Sequence, residues 1–262
     1  MLKKKSDLVE KRDFIKFLGT AGARFVMIKQ LRASGGIWVS YKDTNILIDP
    51  GPGSLVRCSA SKPKLDPLSL DALILTHKHL DHSGDINVMI EAMTQGGFKK
   101  RGLVFAPADS LDSDPVIFNY LRHFPEEIRV LKENQSYSAG AFSFATSMKH
   151  IHPVETYGLR FVMNGVSVGL LTDTKYFKEL GDFYKADILI IGVVLAEPRA
   201  GIDHLSMADV ETLIEDLKPG RAVLTHFGMS MLKARPHDLV TELTQRSGVE
   251  VVAAYDGMTM GF

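Results

Sequence analysis

Four side chains that can bind a metal ion lie within six residues of one another, in the segment from Thr76 to His82. Their spacing is His77-x-His79-x-Asp81-His82. A turn can direct the first two imidazoles at one ion and the last two side chains at a neighbouring ion. Imidazole and carboxylate suit zinc and similar divalent ions, with Zn–N distances of about 2.0–2.1 Å. We therefore predict a metal site here rather than a solvated polar loop.

The elements around this cluster place it at a defined point of a sheet. The apolar run Leu73–Thr76 predicts a buried strand directly before it. An amphipathic helix is predicted after it, because Ile86, Met89, Ile90 and Met93 recur on one helical face. The cluster thus follows the carboxyl end of a strand, where open α/β sheets bind their ligands.

The same arrangement occurs at two other predicted strands. Each ends in Thr, and a residue that can bind a metal follows it: Thr76 before His77, Thr172 before Asp173 and Thr225 before His226. Three such matches predict three strand ends that converge on one site. The Thr hydroxyls are then available to hold the strand ends or to orient the ligands.

The rest of the chain alternates between predicted strands and helices. Strands are expected at residues 14–18, 37–41, 45–48, 102–106, 127–131, 136–147, 157–162, 166–171, 187–192, 222–225 and 249–255, with 127–131 and 136–147 in a second half of the sheet system. Helices are expected at 115–123, from Ser206 with a capping box to Asp209, and after His226 with an interruption near Pro236. Residues 1–12 form a charged tail, and no linker divides residues 13–262, which predicts one domain.

Two turns near the beginning of the chain leave alternatives open. Asp49 could orient a ligand His through its carboxylate, or it could simply form the turn that it shares with Pro50 and Gly51. The segment 19–22, Gly-Thr-Ala-Gly, could cradle a phosphate after a strand. It lacks the GxGxxG spacing and the Lys of a P-loop, so we interpret it as a structural turn.

Composition excludes several classes of protein. The chain has 262 residues, 45% of them hydrophobic and 24% charged, with a formal net charge of +0, which argues against a nucleic-acid or membrane surface. One cysteine, Cys58, excludes an intramolecular disulfide and fits a reducing compartment. Lys3–Lys5 precede no apolar signal segment, and the longest apolar run, 188–196, is too short to span a bilayer. We expect a soluble cytoplasmic protein.

The order of these motifs resembles the metallo-β-lactamase fold superfamily, and within it the phosphodiesterase branch of ribonuclease Z and the phosphonate-pathway cyclic phosphodiesterase. The resemblance runs from about Phe14 to Phe262. It rests on the cluster at 77–82, on His152 six residues before Gly158, and on the segments 17–20, 224–227 and 256–258. The resemblance implies an α/β fold, a four-layer αββα sandwich of two mixed β-sheets flanked by helices.

The resemblance also implies a dinuclear site. One ion would be held by His77, His79 and His152, the other by Asp81, His82 and His226, with Asp173 between them. Asp81 is also expected to act in catalysis. Two divalent ions, zinc first and manganese or iron as alternatives, would lower the pKa of a water far enough to supply a hydroxide nucleophile.

His204 is the expected partner of a phosphodiester's leaving oxygen. In the phosphodiesterase branch a similar His, in a loop before a helix, is assigned to phosphate contact or leaving-group protonation. The sequence agrees, because His204 lies just before the helix at Ser206, where free N–H groups favour an anion. His150 is the alternative to His152 as a ligand, and the distance to Gly158 favours His152.

Departures from the relatives limit the substrate. Ribonuclease Z carries a long tRNA-binding arm, for which His152 and Asp173 are too close, so tRNA is not expected. One cysteine also excludes the cysteine-rich zinc site of the phosphonate-pathway enzyme. We expect hydrolysis of a small cyclic or nucleotide-like phosphodiester. The alternative is a lactone, thioester or β-lactam. A diiron oxygen reductase is disfavoured by His79, where those proteins have a carboxylate. A homodimer is left open.

The remaining polar candidates are expected to be solvated or structural rather than catalytic. They are His123, His237, Arg160, Lys175 and Arg199. Substrate contact by the last three is not decided by the sequence.

Overall fold

The computed structural model describes residues 13–262, and the predicted charged tail at 1–12 lies outside the described residues. The strands in this part of the chain are β1 (Phe14–Phe17), β2 (Ile37–Tyr41), β3 (Thr44–Ile48), β4 (Ala72–Ile74), β5 (Leu103–Ala106), β6 (Glu127–Val130), β7 (Ser136–Ala139), β8 (Phe142–Thr146), β9 (Leu159–Met163), β10 (Val166–Leu171), β11 (Ile188–Gly192), β12 (Arg221–Thr225), β13 (Glu250–Ala253) and β14 (Thr259–Gly261).

The helices are α1 (Ala23–Ile28), α2 (Ser54–Ala60), α3 (Leu80–Ser83), α4 (Ile86–Met93), α5 (Leu180–Phe183), α6 (Met207–Leu217), α7 (Met229–Lys233) and α8 (Pro236–Ser247). Short 3₁₀ turns occur at Pro67–Ser69, Ala108–Ser110 and Asn119–Leu121. Between residues 13 and 262, none of the helices combines the length and the apolar character that crossing a lipid bilayer requires.

The strands form two mixed sheets of seven strands each. The first has the order β14-β1-β2-β3-β4-β5-β6, and the second the order β13-β12-β11-β10-β9-β8-β7. In the first sheet β3 to β6 are parallel, and in the second β10 to β13 are parallel. The other pairs are antiparallel. The two halves of the chain therefore repeat one sheet plan.

The alternation of side chains along each strand produces four layers. Ile15 and Phe17 of β1 point into a core between the two sheets, together with side chains such as Phe161 and Val223 of the second sheet. The outer face of the first sheet packs against α2 and α4, and that of the second packs against α5, α6 and α8. Because each sheet buries both faces, its central strands are apolar without interruption. This is the predicted αββα sandwich.

Two predictions about the middle of the chain were wrong. Residues 115–123 form no α-helix, only the 3₁₀ turn at Asn119–Leu121. The backbone carbonyls there are satisfied by side chains instead: the Arg122 guanidinium donates to the carbonyls of Leu111 and Ile117, and Asn87 donates to that of Val116. Such side-chain bonds compete with helical ones.

Strand β6, at the predicted position, belongs to the first sheet and not to the second. It pairs in parallel with β5, with Glu127 opposite Leu103. Periodicity in a sequence indicates a strand but carries no information on its partner. Strand β14 and helices α1 and α2 were not predicted, because three to seven residues are too few to establish a period.

Candidate metal centre

The loop after β4 places the predicted cluster at the carboxyl end of this strand, beyond the end of the first sheet. β4 ends at Ile74, and Leu75 continues the sheet by donating its N–H to the carbonyl of Phe105 at 2.8 Å. The chain then turns into α3, with His79 as its N-cap and the His82 N–H donating to the His79 carbonyl at 3.0 Å. This turn directs His77 and His82 into the protein interior, where both are buried.

Two groups of potential metal ligands meet at this point. The ligand atoms of each group lie within 4.8 Å of one another. The first group is His77, His79, His152 and Asp173, and the second is Asp81, His82 and His226. All seven residues that the sequence suggested as ligands are therefore brought together by the fold.

Asp173 lies between the two groups. Its Oδ2 is 3.5 Å from Nε2 of both His77 and His82, and 3.9 Å from Nε2 of His152. Its Oδ1 is 3.2 Å from Nδ1 of His226. Although burial opposes it, the neighbouring imidazoles hold the pKa of Asp173 well below its usual range. The carboxylate is therefore charged and central, which suits a ligand shared by two cations.

Asp49 and Thr76 hold His82 from behind. Asp49 accepts hydrogen bonds from the N–H of Thr76 at 2.7 Å and from its hydroxyl at 2.7 Å. His82 Nδ1 lies 2.9 Å from Asp49 Oδ2 and donates to it, so Nε2 is the nitrogen that faces the second group and would bind an ion. The sequence left open whether Asp49 orients a ligand His or only forms a turn. Its carboxylate lies against His82, a candidate ligand.

The hydroxyls of the other two threonines form no hydrogen bond to a candidate ligand within residues 13–262. The Thr172 hydroxyl lies 3.4 Å from the Tyr157 carbonyl, a weak contact. The carbonyl of Thr225 accepts from the N–H of Val193 at 2.9 Å, which extends the β11–β12 pairing as far as His226.

The imidazoles of the first group are in the protonation state that a metal ion requires. Burial lowers the pKa of His77 to about 3 and that of His152 to about 4, and it also lowers the pKa of His79. These imidazoles are therefore neutral at pH 7, and only a neutral imidazole has a free lone pair for a metal.

The second group carries surplus negative charge. Burial alone would lower the pKa of His82, but the carboxylates of Asp173, Asp49 and Asp81 raise it well above its ordinary value. Three carboxylates around one imidazole produce a negative potential that a bound cation would neutralise.

The donor atoms also fit metal ions geometrically. Nε2 of His77 is buried and has no hydrogen-bond partner. Nε2 of His82 and Nε2 of His226 are 2.9 Å apart, and Nε2 of His152 and Nδ1 of His79 are 3.0 Å apart. Two nitrogens that bind one zinc ion at about 2.0–2.1 Å lie roughly 3 Å from each other. The residues therefore fit a divalent-metal centre.

His204 borders the same centre. Its Nδ1 is buried without a hydrogen-bond partner and lies 3.7 Å from Asp173 Oδ2. Its ring centroid is 5.2 Å from that of His152. The neighbouring Asp203 carbonyl lies 3.1 Å from His152 Nδ1 and accepts a hydrogen bond from it, so the loop that carries His204 is joined to a candidate ligand.

The helix that follows is capped as its sequence suggested. Ser206 is the N-cap of α6 and forms a capping box with Asp209. The Ser206 N–H donates to the Asp209 carboxylate at 2.8 Å. This closed turn fixes the approach of the loop to α6.

The glycine turn at 19–22 has a role that the sequence did not reveal. Gly19 and Ala21 line the cavity at the centre. The N–H of Gly22 donates to the Phe227 carbonyl at 3.0 Å, and a Cβ at Gly22 would overlap the His226 carbonyl. His226 itself has φ 59°, a left-handed conformation that costs energy in a non-glycine residue. The turn therefore holds His226, a candidate ligand in a strained conformation, in place. A glycine near the end of a strand often marks close approach of another backbone, so Gly22 could have indicated this contact.

His150 lies behind Asp173 rather than at the ligand groups. Its Nδ1 is 3.0 Å from the Asp173 carbonyl, and its Nε2 is 2.7 Å from the Tyr184 hydroxyl. Burial lowers its pKa to about 4. His150 is thus a neutral, buried link between Asp173 and the outer layer of the second sheet.

The remaining candidates lie away from the centre or face solvent. Cys58 is buried, and burial raises its pKa to about 12, so its thiol is not a nucleophile at pH 7. Arg160 packs its guanidinium over the Phe183 ring at 5.4 Å. Exposed residues that belong to neither ligand group are His123, Lys175, Arg199 and His237.

Comparison with known proteins identifies the family. The model of the beta-lactamase superfamily domain matches residues 44–227, which is more than half of the chain. The chain belongs to this superfamily. The uncharacterized protein MJ1374 of Methanocaldococcus jannaschii is 30% identical to it over 251 residues, with 92% of each chain covered. The predicted family is confirmed.

Solved structures confirm the fold of this superfamily member. The probable metallo-hydrolase YhfI of Bacillus subtilis is 27% identical over 198 residues, 74% of this chain and 80% of that protein. Its crystal structure, described as a metallo-beta-lactamase fold protein, superimposes with a TM-score of 0.78 over 96% of this chain and 100% of that chain, at 22% identity. A diphosphatase of the PhnP family superimposes with a TM-score of 0.73 over 96% and 97%, at 20% identity.

Proposed function

We propose that this protein is a dinuclear metal-dependent hydrolase of a small phosphodiester, of cyclic or nucleotide-like type. The observation that carries the proposal is His204, whose buried Nδ1 points toward Asp173 and lacks a hydrogen-bond partner. A phosphodiester offers both a phosphoryl oxygen and a leaving oxygen to this extra donor. The likeness to a PhnP-family diphosphatase is consistent with phosphorus chemistry.

The chain's own residues have distinct parts in this proposal. Bound at the two groups, divalent ions would neutralise phosphoryl charge and lower the pKa of a water. Asp173 and Asp81 hold the centre, and Asp81 Oδ2, 3.3 Å from His226 Nε2, is close enough to orient an attacking water. His204 donates a hydrogen bond to the substrate. The N–H groups expected to favour an anion at the start of α6 are instead paired, that of Met207 with the Leu195 carbonyl and that of Asp209 with the Ser206 hydroxyl.

Zinc is the proposed metal, with manganese and iron as alternatives, because His and carboxylate ligands suit all three. A small substrate, a cytoplasmic location and a homodimer remain predictions.

The first experiment tests His204 with two leaving groups. Metal-loaded protein is assayed on bis-p-nitrophenyl phosphate and on a 2′,3′-cyclic nucleotide, whose alkoxide leaving group needs a proton more strongly. His204→Ala should lower kcat by about 100-fold or more on the cyclic substrate, in the range of general acid catalysis, and less on the nitrophenyl ester. Equal losses on both would assign His204 to phosphoryl contact instead.

His123→Ala is the matched control, because His123 is exposed and lies in neither ligand group. Metal content of both variants is measured by atomic emission and should equal that of the wild type. A His204→Ala enzyme with full kcat on both diesters contradicts the proposal. So does a faster reaction with a lactone, a thioester or a β-lactam, tested in the same panel.

A further inference from the structure

A second polar cavity lies on the outer face of the first sheet, apart from the metal centre. Its volume is about 240 Å³, and Lys16, Leu18, Arg57, Ala60, Ser61, Lys62 and Gly257 line it. One water molecule needs roughly 10–15 Å³ of such space, so the cavity has room for a larger ligand. The lining comes from β1, from the end of α2 and from the turn before β14.

Lys16 is the unusual residue of this cavity. Its neighbours on β1, Ile15 and Phe17, point into the core between the sheets, so Lys16 points outward toward α2. It is only 5% exposed, and its ammonium donates to the Lys62 carbonyl at 3.2 Å and to the Thr259 hydroxyl at 3.0 Å. A buried ammonium normally has a carboxylate partner. Both acceptors of Lys16 are neutral.

The other charges of the cavity have the same sign. Arg57 donates its Nε–H to the Leu18 carbonyl at 3.0 Å, and this is its single hydrogen bond to a side chain or backbone group within residues 13–262. A guanidinium has five N–H donors, so four of them have no partner in the described part of the chain and can bind a ligand. No carboxylate within residues 13–262 forms an ion pair with Lys16, Arg57 or Lys62. Burial, together with the nearby Arg57, lowers the pKa of Lys16.

The acidic residue that adjoins the cavity in the sequence is hydrogen-bonded to other groups. Asp256, next to Gly257, accepts from the N–H and the hydroxyl of Thr20 and from the N–H of Ala33, at 2.7–2.9 Å. It therefore cannot serve as the counter-ion of the cavity.

A hydroxyl and an open wall complete the cavity. The Ser61 Oγ is buried and has no hydrogen-bond partner in the described part of the chain. An unpaired buried hydroxyl is unfavourable relative to a bonded one, and a ligand oxygen would pair it. A Cβ built on Gly257 would meet no atom within 4 Å, so this side of the cavity is unobstructed.

We propose that this cavity binds a phosphate-type dianion, either inorganic phosphate or the terminal phosphate of a phosphomonoester. Three cations without a counter-ion within residues 13–262, a hydroxyl without a partner in the same range and sufficient volume match the charge and the acceptor oxygens of such a ligand. Leu18 lines this cavity while the next residue, Gly19, lines the metal centre. The site is independent of the proposed hydrolysis, because none of its side chains belongs to the ligand groups.

A purely structural role of Lys16 is the competing explanation. Lys16 could simply stabilise the carbonyls at the end of α2, where a cation is favourable. That role explains one contact of Lys16, but it explains neither the free donors of Arg57 nor the unpaired Ser61. The two explanations differ in what happens to phosphate affinity when the cations are removed.

The test is a calorimetric titration of inorganic phosphate into the metal-loaded, full-length protein. Metal ions also bind phosphate, so we expect two equivalents in the wild type. Arg57→Met should weaken one of the two by about tenfold or more, because it removes charge-assisted hydrogen bonds. Lys16→Met should do the same, and Lys99→Met, at an exposed lysine outside the cavity, should leave both equivalents unchanged.

Lys62→Met protects the test against folding defects, because Lys62 is exposed and its loss does not disturb the core. It should weaken the same equivalent by roughly threefold, as expected for a partly solvated charge. A titration with adenosine monophosphate then distinguishes the two sources. Binding sensitive to Arg57→Met means that the cavity accepts a phosphomonoester, and its absence means that the free ion is the ligand.

Two results would overturn the proposal. One is a single equivalent of phosphate in the wild type that Arg57→Met and Lys62→Met leave unchanged. The other is a lower melting temperature of Lys16→Met with an unchanged phosphate isotherm, which would establish the structural role.

Discussion

Replacement of Asp49 by Asn tests whether the hydrogen bond behind His82 controls metal affinity. The carboxylate accepts three hydrogen bonds, two of them from Thr76 and one from His82 Nδ1 at 2.9 Å. An amide can keep its oxygen toward the Thr76 N–H, but its NH₂ group then faces His82. The imidazole must accept there, and its proton moves to Nε2, the atom that has to bind the metal.

The expected loss follows from this change of tautomer. Removing such a partner of a ligand His lowers metal affinity by about 10–100-fold, which corresponds to about 1.4–2.8 kcal/mol. The assay is competition for zinc between the protein and a chromophoric chelator at pH 7. We expect the site formed by Asp81, His82 and His226 to weaken by this factor.

Asp256→Asn is the matched control, because Asp256 has almost the same hydrogen bonds. It accepts from the N–H and hydroxyl of Thr20 at 2.9 and 2.7 Å, but its third donor is the Ala33 N–H at 2.8 Å instead of an imidazole. Both variants should lose comparable unfolding free energy in urea. Zinc affinities of Asp49→Asn and Asp256→Asn that agree within about twofold would refute the reasoning.

Two further predictions concern the support of the centre and its response to pH. Gly22→Ala should displace His226, because the added Cβ overlaps the His226 carbonyl. Chelator competition should then find a loss of zinc affinity. The control is Gly181→Ala, where the added Cβ meets only Leu217 at 3.8 Å, and this variant should bind zinc normally. Metal-free protein should lose stability as the pH falls from about 6.5 to 4, since burial lowers the pKa of His150 to about 4 and the unfolded chain binds the proton first. This one residue contributes about 3 kcal/mol, and other buried imidazoles with lowered pKa add to the loss, while His82, whose pKa is raised, opposes it. Urea unfolding at several pH values measures the slope, which His150→Gln should reduce; an unchanged slope in that variant would show that His150 is not the group responsible.

Much of the centre was predictable because metal chemistry restricts residue type and spacing together. His77 to His82 fall in one turn, and such a turn after an apolar strand has few other uses. The repeated pattern of an apolar strand, a Thr and a ligand predicted that the ends of β4, β10 and β12 meet. Parallel strands within a sheet share the direction of their carboxyl ends, which accounts for β10 and β12. That β4 of the other sheet ends at the same point follows from the packing of the two sheets.

Other features depend on contacts between residues far apart in the sequence. Asp49 could be a turn residue or a partner of His82, and 33 positions separate the two side chains that decide this. The turn at Gly22 and the strained φ of His226 are coupled across more than 200 residues. Local sequence carries no record of such pairs.

The sequence by itself determined the family, and the resemblance to that family predicted the two-sheet architecture and the seven candidate metal ligands, because the spacing of ligand-type residues is visible along the chain. The tertiary structure alone decided the sheet to which β6 belongs and the position of His150 behind Asp173. It also decided that Lys16, an ordinary lysine in a strand, faces Arg57 and Lys62 without a carboxylate within residues 13–262. Charge balance and close approach depend on which side chains fold to the same point in space, and only the packed chain determines that.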